Sequence, residues 1–149
     1  MRLTTYTDYS LRLLIYVAAC GEDFATIPQV AESYGISRHH LVKVAHQLGV
    51  KGYLATTRGK NGGLRLARAA QEIVVGDVVR NMEPDMAIVP CLHTEGSDCR
   101  IVPACRLRNA LDDGRKAFLA VLDQVTLADL MHSRKKLQQL LQIQSSGAA

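Results

Sequence analysis

The 149-residue sequence lacks the patterns by which several large classes of protein are recognised. No run approaches the roughly 20 apolar residues that a membrane-spanning helix requires. There is no GxxxxGK(S/T) phosphate loop, no Ser/His/Asp set and no pair of carboxylates beside the cysteines. These absences argue against a membrane-spanning protein and against an enzyme.

The first apolar segment has only part of the form of a secretory leader. Val17-Ala18-Ala19-Cys20-Gly21 resembles a lipoprotein cleavage box, but Asp8 and Arg12 interrupt the run before it. We therefore predict a cytoplasmic protein. In that compartment clustered cysteines serve metals or redox sensing more often than structural disulfides.

Basic residues are concentrated in the first half of the chain. The formal charge of +4 and the pI near 9.0 are compatible with a polyanionic partner but decide little by themselves. The local density is more informative and is typical of a nucleic-acid footprint, although a solvated basic face is the alternative. The residues concerned are Arg38, Lys43, Lys51, Arg58, Lys60, Arg65 and Arg68.

Helix signals in the first fifty residues predict a helix-turn-helix. Thr7 is expected to cap a broadly apolar first helix, with Asp8 in its first turn. Thr26 opens a capping box, Gly35 ends that second helix and Ser37 caps a third. The third helix has an apolar face for the core and an outward face comprising Arg38, His39, His40, Lys43 and Gln47. Such a helix is typical of DNA recognition, and a plain amphipathic helix pair is the alternative.

A basic hairpin is predicted directly after this helix. The runs at 53–57 and 64–66 have strand character, and Arg58-Gly59-Lys60-Asn61-Gly62-Gly63 lies between them. This arrangement predicts a winged helix whose wing contacts the DNA backbone or minor groove. A further short strand is expected at 73–75, followed by a helix with an apolar stripe from Val75 to Met82.

Cys91, Cys99 and Cys105 lie in a loop that opens into a helix. Structural zinc sites usually contain closely spaced pairs of ligands, and the gaps here are seven and five residues. Wider arcs favour an iron–sulfur cluster, with zinc or reactive thiols as the alternatives. Three cysteines leave one ligand to be supplied. Cys20 has the apolar context of a core residue, so the remaining candidates are His93 and Asp8.

The pattern after Ala104 predicts about twenty residues of helix, longer than is usual in globular domains. We expect its apolar face to meet the same helix of a second subunit, with packing on its own domain as the alternative. The predicted fold is mainly α with a small β-hairpin wing. Its expected parts are a winged helix-turn-helix (1–83), a cluster-binding loop (84–105), a dimerisation helix and a C-terminal helix (106–143), and a disordered tail (144–149).

Seven motifs between residue 1 and about residue 143 together resemble the iron–sulfur winged-helix transcriptional regulators. They are Thr7-Asp8-Tyr9, Leu11-Arg12, Ile36-Ser37-Arg38, the glycine-rich hairpin loop, Gly76-Asp77-Val78-Val79-Arg80, Pro103-Ala104-Cys105-Arg106-Leu107 and Thr126-Leu127-Ala128-Asp129-Leu130. The resemblance implies a homodimeric repressor that binds a palindromic DNA operator. It also implies a 4Fe–4S cluster, or alternatively 2Fe–2S, held by the three loop cysteines.

The resemblance is closest to the nitric-oxide-sensitive repressors of that family. Arg108 stands where other members have a histidine ligand, and Asp8 matches an aspartate of the first helix. Asp8 is therefore implied as the fourth ligand, reaching the cluster of the opposite subunit, with nitric oxide as the signal. Sensing of redox state, oxygen or iron supply is the alternative. The seven-residue first spacer is longer than is usual in the family, which leaves the conformation of residues 92–98 open.

The predicted DNA contacts come from the recognition helix and the wing. Their residues are Ser37, Arg38, His39, His40 and Lys43 in the helix, and Arg58, Lys60 and Asn61 in the wing.

Overall fold

The computed structural model describes residues 2–59, 62–93 and 96–143, and in these ranges it contains seven helices and one antiparallel hairpin. The predicted class, mainly α with a small β-hairpin wing, is confirmed. No helix in these ranges is long and apolar enough to cross a membrane. The elements are α1 (Thr5–Cys20), α2 (Ile27–Tyr34), α3 (Arg38–Val50), β1 (Leu54–Thr57), β2 (Gly63–Leu66), α4 (Val75–Met82), α5 (Arg106–Leu122), α6 (Leu127–Leu130) and α7 (Arg134–Leu140).

The first helix lies at the centre of the head, by which we mean α1 to α4 with the hairpin (residues 5–82). Its buried side chains include Leu13, Leu14 and Val17, as the broadly apolar sequence predicts. The predicted N-cap was wrong. Thr4 is the cap, because its Oγ1 accepts a hydrogen bond of 3.3 Å from the Thr7 N–H, while Thr7 itself is buried within the helix.

The helix-turn-helix is formed by α2 and α3. Thr26 and Gln29 make the predicted capping box, and Gly35 ends α2 with the left-handed φ of 64° that glycine adopts without strain. Ser37 occupies the N-cap position of α3, but its side chain makes no capping hydrogen bond, so that part of the prediction was wrong. The buried face of α3 is the predicted one and consists of Leu41, Val44, Ala45 and Leu48.

The wing packs against α1 and the segment before α2 through its second strand. Leu54 pairs with Leu66 and Thr57 with Gly63, and Leu64 forms a bridge to Ala25. An arginine beyond β2 joins the hairpin to the turn that ends α3, because Arg68 donates from Nε to the Gly52 carbonyl at 2.9 Å and from Nη2 to the Lys51 carbonyl at 3.1 Å. The predicted wing therefore follows α3 directly and is tied to its end.

The segment that follows α5 pairs with the chain just before α4. The strand predicted at 73–75 was wrong, because Val74 forms only an isolated bridge with Thr126 and Val75 already begins α4. The pairing stops there because the next residue on each side, Val75 and Leu127, already begins a helix.

The C-terminal helices also return to the head. Arg134 Nε and Gln138 Nε2 both donate to the carbonyl of Ala19, at 3.0 and 2.8 Å. The C-terminal segment therefore caps the end of α1. The tail predicted at 144–149 lies outside the described residues.

Candidate cluster site and nucleic-acid interface

The outward face of α3 is exposed and basic, as the sequence predicts. Arg38, His39, His40 and Lys43 are all exposed, and so is Ser37 before them. The first helix holds this face in position, because the Tyr6 hydroxyl donates to the carbonyl of Lys43 at 3.0 Å. The Lys43 side chain is left to solvent, where it is available to a phosphate or a base edge.

Aromatic rings support the start of the recognition helix. The rings of Tyr9 and His40 have their centroids 6.3 Å apart, and those of His39 and His40 6.2 Å apart. The ring of His40 therefore lies beside Tyr9 of α1.

Of the three predicted wing contacts, only Arg58 is among the described residues. Arg58 is exposed immediately after β1, where a cation can meet the DNA backbone. Lys60 and Asn61, the other two predicted wing contacts, lie outside the described residues.

The three loop cysteines lie on irregular segments before α5. Cys91 is in a single 3₁₀ turn (Pro90–Leu92), Cys99 is exposed further along the loop, and Cys105 is the N-cap of α5. None of the four cysteines, all of them described, forms a disulfide. Cys105 Sγ accepts a hydrogen bond of 3.4 Å from the N–H of Arg108, in the manner of an anion at a helix N-terminus.

Arg108 connects the first and third cysteine segments. Besides its N–H bond to Cys105, its Nε donates to the carbonyl of Cys91 at 3.0 Å. The two cysteines are thereby brought to the same end of α5. The sequence shows only that Arg108 stands where a histidine ligand would be; its bridging role was not predicted.

An acid–base pair holds the loop to the segment that precedes it. Asp85 contacts His93 Nδ1, and its other oxygen accepts from the N–H of Ala87. These two hydrogen bonds lower the pKa of Asp85, with the Ala87 bond as the larger cause. His93, a candidate fourth ligand, is therefore engaged by a carboxylate.

Asp8 lies on the exposed side of α1 with its carboxylate paired to Arg12. The Arg12 Nε lies 2.9 Å from Asp8 Oδ2, one helical turn along. Within the described residues, no group of three or more Cys, His, Asp or Glu side chains is placed to hold a metal ion. The described chain therefore ties the backbone of Cys91 to the start of α5 through Arg108, but it gathers neither Cys99 nor Asp8 with Cys91 and Cys105 into one ligand set.

The donor chemistry of the loop fits an iron–sulfur cluster. Thiolates are the ligands of such clusters, and the three thiols here are free and at least partly accessible. The fourth thiol differs, because burial raises the pKa of Cys20 to about 11 and keeps it protonated. Cys20 is therefore a core residue, as the sequence predicts.

A winged helix-turn-helix with an exposed basic face, followed by a loop of free cysteines, is typical of a winged-helix DNA-binding regulator. Residues 3–133 match the family model described as "Rrf2: Iron-dependent Transcriptional regulator". The chain belongs to the Rrf2 family.

Relatives with known names place the chain more closely within that family. The transcriptional regulator NsrR of Geobacillus kaustophilus is 47% identical over 142 residues, which are 95% of this chain and 97% of the relative. NsrR of Bacillus subtilis is 46% identical over 145 residues, or 96% and 99% of the two chains. The predicted resemblance to an NsrR-like regulator is confirmed. The relatives are transcriptional regulators rather than enzymes.

Solved structures support the fold. The oxidised form of Staphylococcus aureus CymR is 27% identical with a TM-score of 0.70, covering 89% of this chain and 97% of that one. IscR of T. potens has a TM-score of 0.72 over 93% and 91% of the two chains, and at 24% identity it supports the fold alone.

Proposed function

We propose that this DNA-binding regulator is a homodimeric repressor that senses nitric oxide through an iron–sulfur cluster held by Cys91, Cys99, Cys105 and Asp8. The observation that carries the proposal is the junction at Arg108, which joins the Cys91 and Cys105 segments at the start of α5. Soft sulfur donors at the end of a helix suit a cluster, and the NsrR name of the relatives supports nitric oxide as the signal.

The surface of α5 supports a homodimer. Of its 17 residues, all described, only Leu119 is buried. Leu107 and Val121 are each 66% exposed, and Gly114 lies midway between them. A Cβ built on Gly114 meets no described atom within 4 Å. This spacing of seven residues makes one stripe, Leu107–Gly114–Val121, which a second copy of α5 can cover.

The proposed mechanism couples the loop to the head. A bound cluster would supply iron with which nitric oxide reacts. Cys91, Cys99 and Cys105 would hold the cluster before α5, and Asp8, released from its pair with Arg12, would bind it from α1 of the partner. Loss of these links would release α5 and the head from the relative orientation that binds DNA. A hundredfold fall in DNA affinity requires the intact site to favour the binding geometry by only about 2.8 kcal/mol.

In the proposed complex the two recognition helices enter major grooves about one helical turn apart. Arg38 and Lys43 contact bases and phosphates, and the wings contact the flanking backbone through Arg58, Lys60 and Asn61. Affinity should fall steeply with salt, because each phosphate contact releases a counterion.

The decisive experiment is anaerobic purification followed by visible absorbance, iron and sulfide assays and operator binding. We expect a coloured protein with acid-labile sulfide that loses both its spectrum and its DNA affinity when nitric oxide is added. A colourless protein with stoichiometric zinc would contradict the cluster. DNA release by oxygen or iron depletion but not by nitric oxide would contradict the signal.

The role of Asp8 is tested separately with Asp8→Ala. The variant should show an altered cluster spectrum and an altered response to nitric oxide, because the oxygen ligand is lost. Asp113→Ala, an exposed acid on α5, is the matched control. An unchanged spectrum and response in Asp8→Ala would remove this residue from the ligand set.

A further inference from the structure

The outward face of α3 carries an apolar side chain among basic and polar ones. Val42 is 55% exposed and lies one helical turn from both Arg38 and His46, which are exposed. A single exposed valine is common on protein surfaces and needs no explanation by itself. Its position is what matters here. Val42 lies in the first half of α3, and the N-terminal turns of a recognition helix approach base edges.

The contacts of α3 leave the flank of Val42 open. Leu41 is buried in the core, and the ring of His40 lies against that of Tyr9 on α1. Successive residues are turned by about 100° around a helix axis, so Val42 and His40 point to opposite flanks. His40 is engaged by α1, whereas Val42 shares its flank with Arg38.

The chemistry of valine selects its partner. An isopropyl group has no donor or acceptor, so it cannot read the polar pattern of base edges. In the major groove the C5-methyl of thymine is the apolar group that a base presents. We propose that Val42 is a specificity-determining residue whose isopropyl group packs against the methyl of a thymine in each operator half-site. This inference rests on the proposed operator binding by α3 and adds a base that the helix reads.

The expected effect is modest but measurable. Removing one buried methyl contact costs about fourfold in affinity. A symmetric dimer has the contact twice, so removing both thymine methyls should cost about fifteenfold if the half-sites act independently. The effect should depend on Val42, which distinguishes direct contact from a change in DNA shape.

The test uses the full-length, anaerobically purified protein and the tightest duplex that it selects from a randomised pool. Each symmetric pair of thymines is replaced by deoxyuracil, which lacks the methyl and keeps every hydrogen-bonding group. We expect one pair to lower wild-type affinity about fifteenfold and to have little effect on Val42→Ala. Val50→Ala is the matched control, because Val50 is 67% exposed but is the last residue of α3. Val50→Ala should lose about as much affinity on deoxyuracil substitution as the wild type does.

Two results of the uracil series would overturn the inference. One is that the loss of affinity caused by deoxyuracil is the same in Val42→Ala as in the wild type at every position. The other is the same loss of methyl dependence in Val50→Ala as in Val42→Ala. A wild-type protein that selects no duplex overturns the proposed operator binding, and this assignment with it. Sequence-selective binding without dependence on Val42 overturns this assignment alone.

Discussion

Arg80 of α4 and Asp123, the residue after α5, form a bidentate ion pair. The Nη1–Oδ1 distance is 2.7 Å and the Nη2–Oδ2 distance is 2.6 Å. Asp77, one turn before Arg80, also lies within 3.3 Å of Nη1. Beside this pair the N–H of Val75 donates to the carbonyl of Val125 at 2.9 Å. The end of α5 is therefore joined to the head by a charge pair and by backbone.

The Arg80 pair predicts a pH dependence. Its hydrogen bonds lower the pKa of Asp123 below the ordinary value of 3.8. Because the pKa of Asp123 is lower in the folded protein, the ion pair stabilises the fold at pH values above 3.8. This contribution is lost as the pH falls through the lowered pKa of the folded state. Asp123→Asn should therefore lower the Tm at neutral pH, modestly because the pair is partly exposed, and the difference in Tm should shrink as the pH falls below 3.8 and through the lowered pKa. A difference in Tm that is constant across pH would contradict this origin.

Substitutions at Gly76 and Asp123 should have non-additive effects on the free energy of unfolding. A Cβ on Gly76 would meet Asp123 Oδ1, so alanine there must displace the carboxylate from Arg80. Helix propensity favours alanine by at most about 1 kcal/mol, the value for a helix interior, and Gly76 is the second residue of α4. We expect Gly76→Ala to gain this stability only in an Asp123→Ala background, as measured by urea denaturation of the four proteins. Equal effects in both backgrounds would show that the close approach is not restrictive.

The four thiols should differ in reactivity. Burial raises the pKa of Cys20 to about 11, and the thiolate is the nucleophile. In cluster-free protein at pH 8, iodoacetamide should modify Cys91, Cys99 and Cys105 well before Cys20, as followed by peptide mass spectrometry. Urea-unfolded protein, in which all four should react at similar rates, is the control. Equally rapid labelling of Cys20 in the folded chain would contradict its burial.

Arg108 should determine how well the loop retains a cluster. Arg108→Ala removes the donor to the Cys91 carbonyl and leaves the N–H bond to Cys105. Residues that orient metal ligands typically change metal retention by about 10-fold or more. We expect faster loss of absorbance and iron under an anaerobic chelator, with Arg108→Lys intermediate. Arg106→Ala, an exposed neighbour, is the control, and equal loss rates in all four proteins would exclude a positioning role.

The α5 stripe should govern self-association. Val121→Asp would place an unpaired carboxylate in the proposed dimer interface, which costs several kcal/mol, on the order of 3 to 5. Sedimentation at micromolar concentration should then show a monomer. Val50→Asp, equally exposed but on α3, should remain dimeric. A dimer of unchanged affinity in Val121→Asp would place the interface elsewhere.

Local signals made the helix-turn-helix predictable. The capping box at Thr26 and the glycine at 35 act within a few residues, so their effect is visible in the sequence. The start of α1 was less predictable, because Thr4 and Thr7 have the same capping chemistry. Packing decides between them by burying Thr7.

Long-range contacts were beyond sequence reasoning. Arg108 reaches a carbonyl 17 residues away through a loop without periodicity, and Arg80 reaches Asp123 across 43 residues. The motif Gly76–Arg80 was recognised as a family signature, but its physical reason is visible only where Asp123 approaches Gly76. The ligand set, which requires Asp8 from another subunit, stays a prediction.

The attachment of α5 at its C-terminal end has a mechanical consequence. Seventeen residues of helix are about 26 Å long, so a tilt of one degree about Asp123 moves the Cys105 end by about 0.45 Å. Conversely, a small displacement at the Cys105 end becomes a rotation of the whole helix about its attachment to α4. A movement at the Cys105 end of α5 would therefore be transmitted to α4 through the Arg80–Asp123 pair.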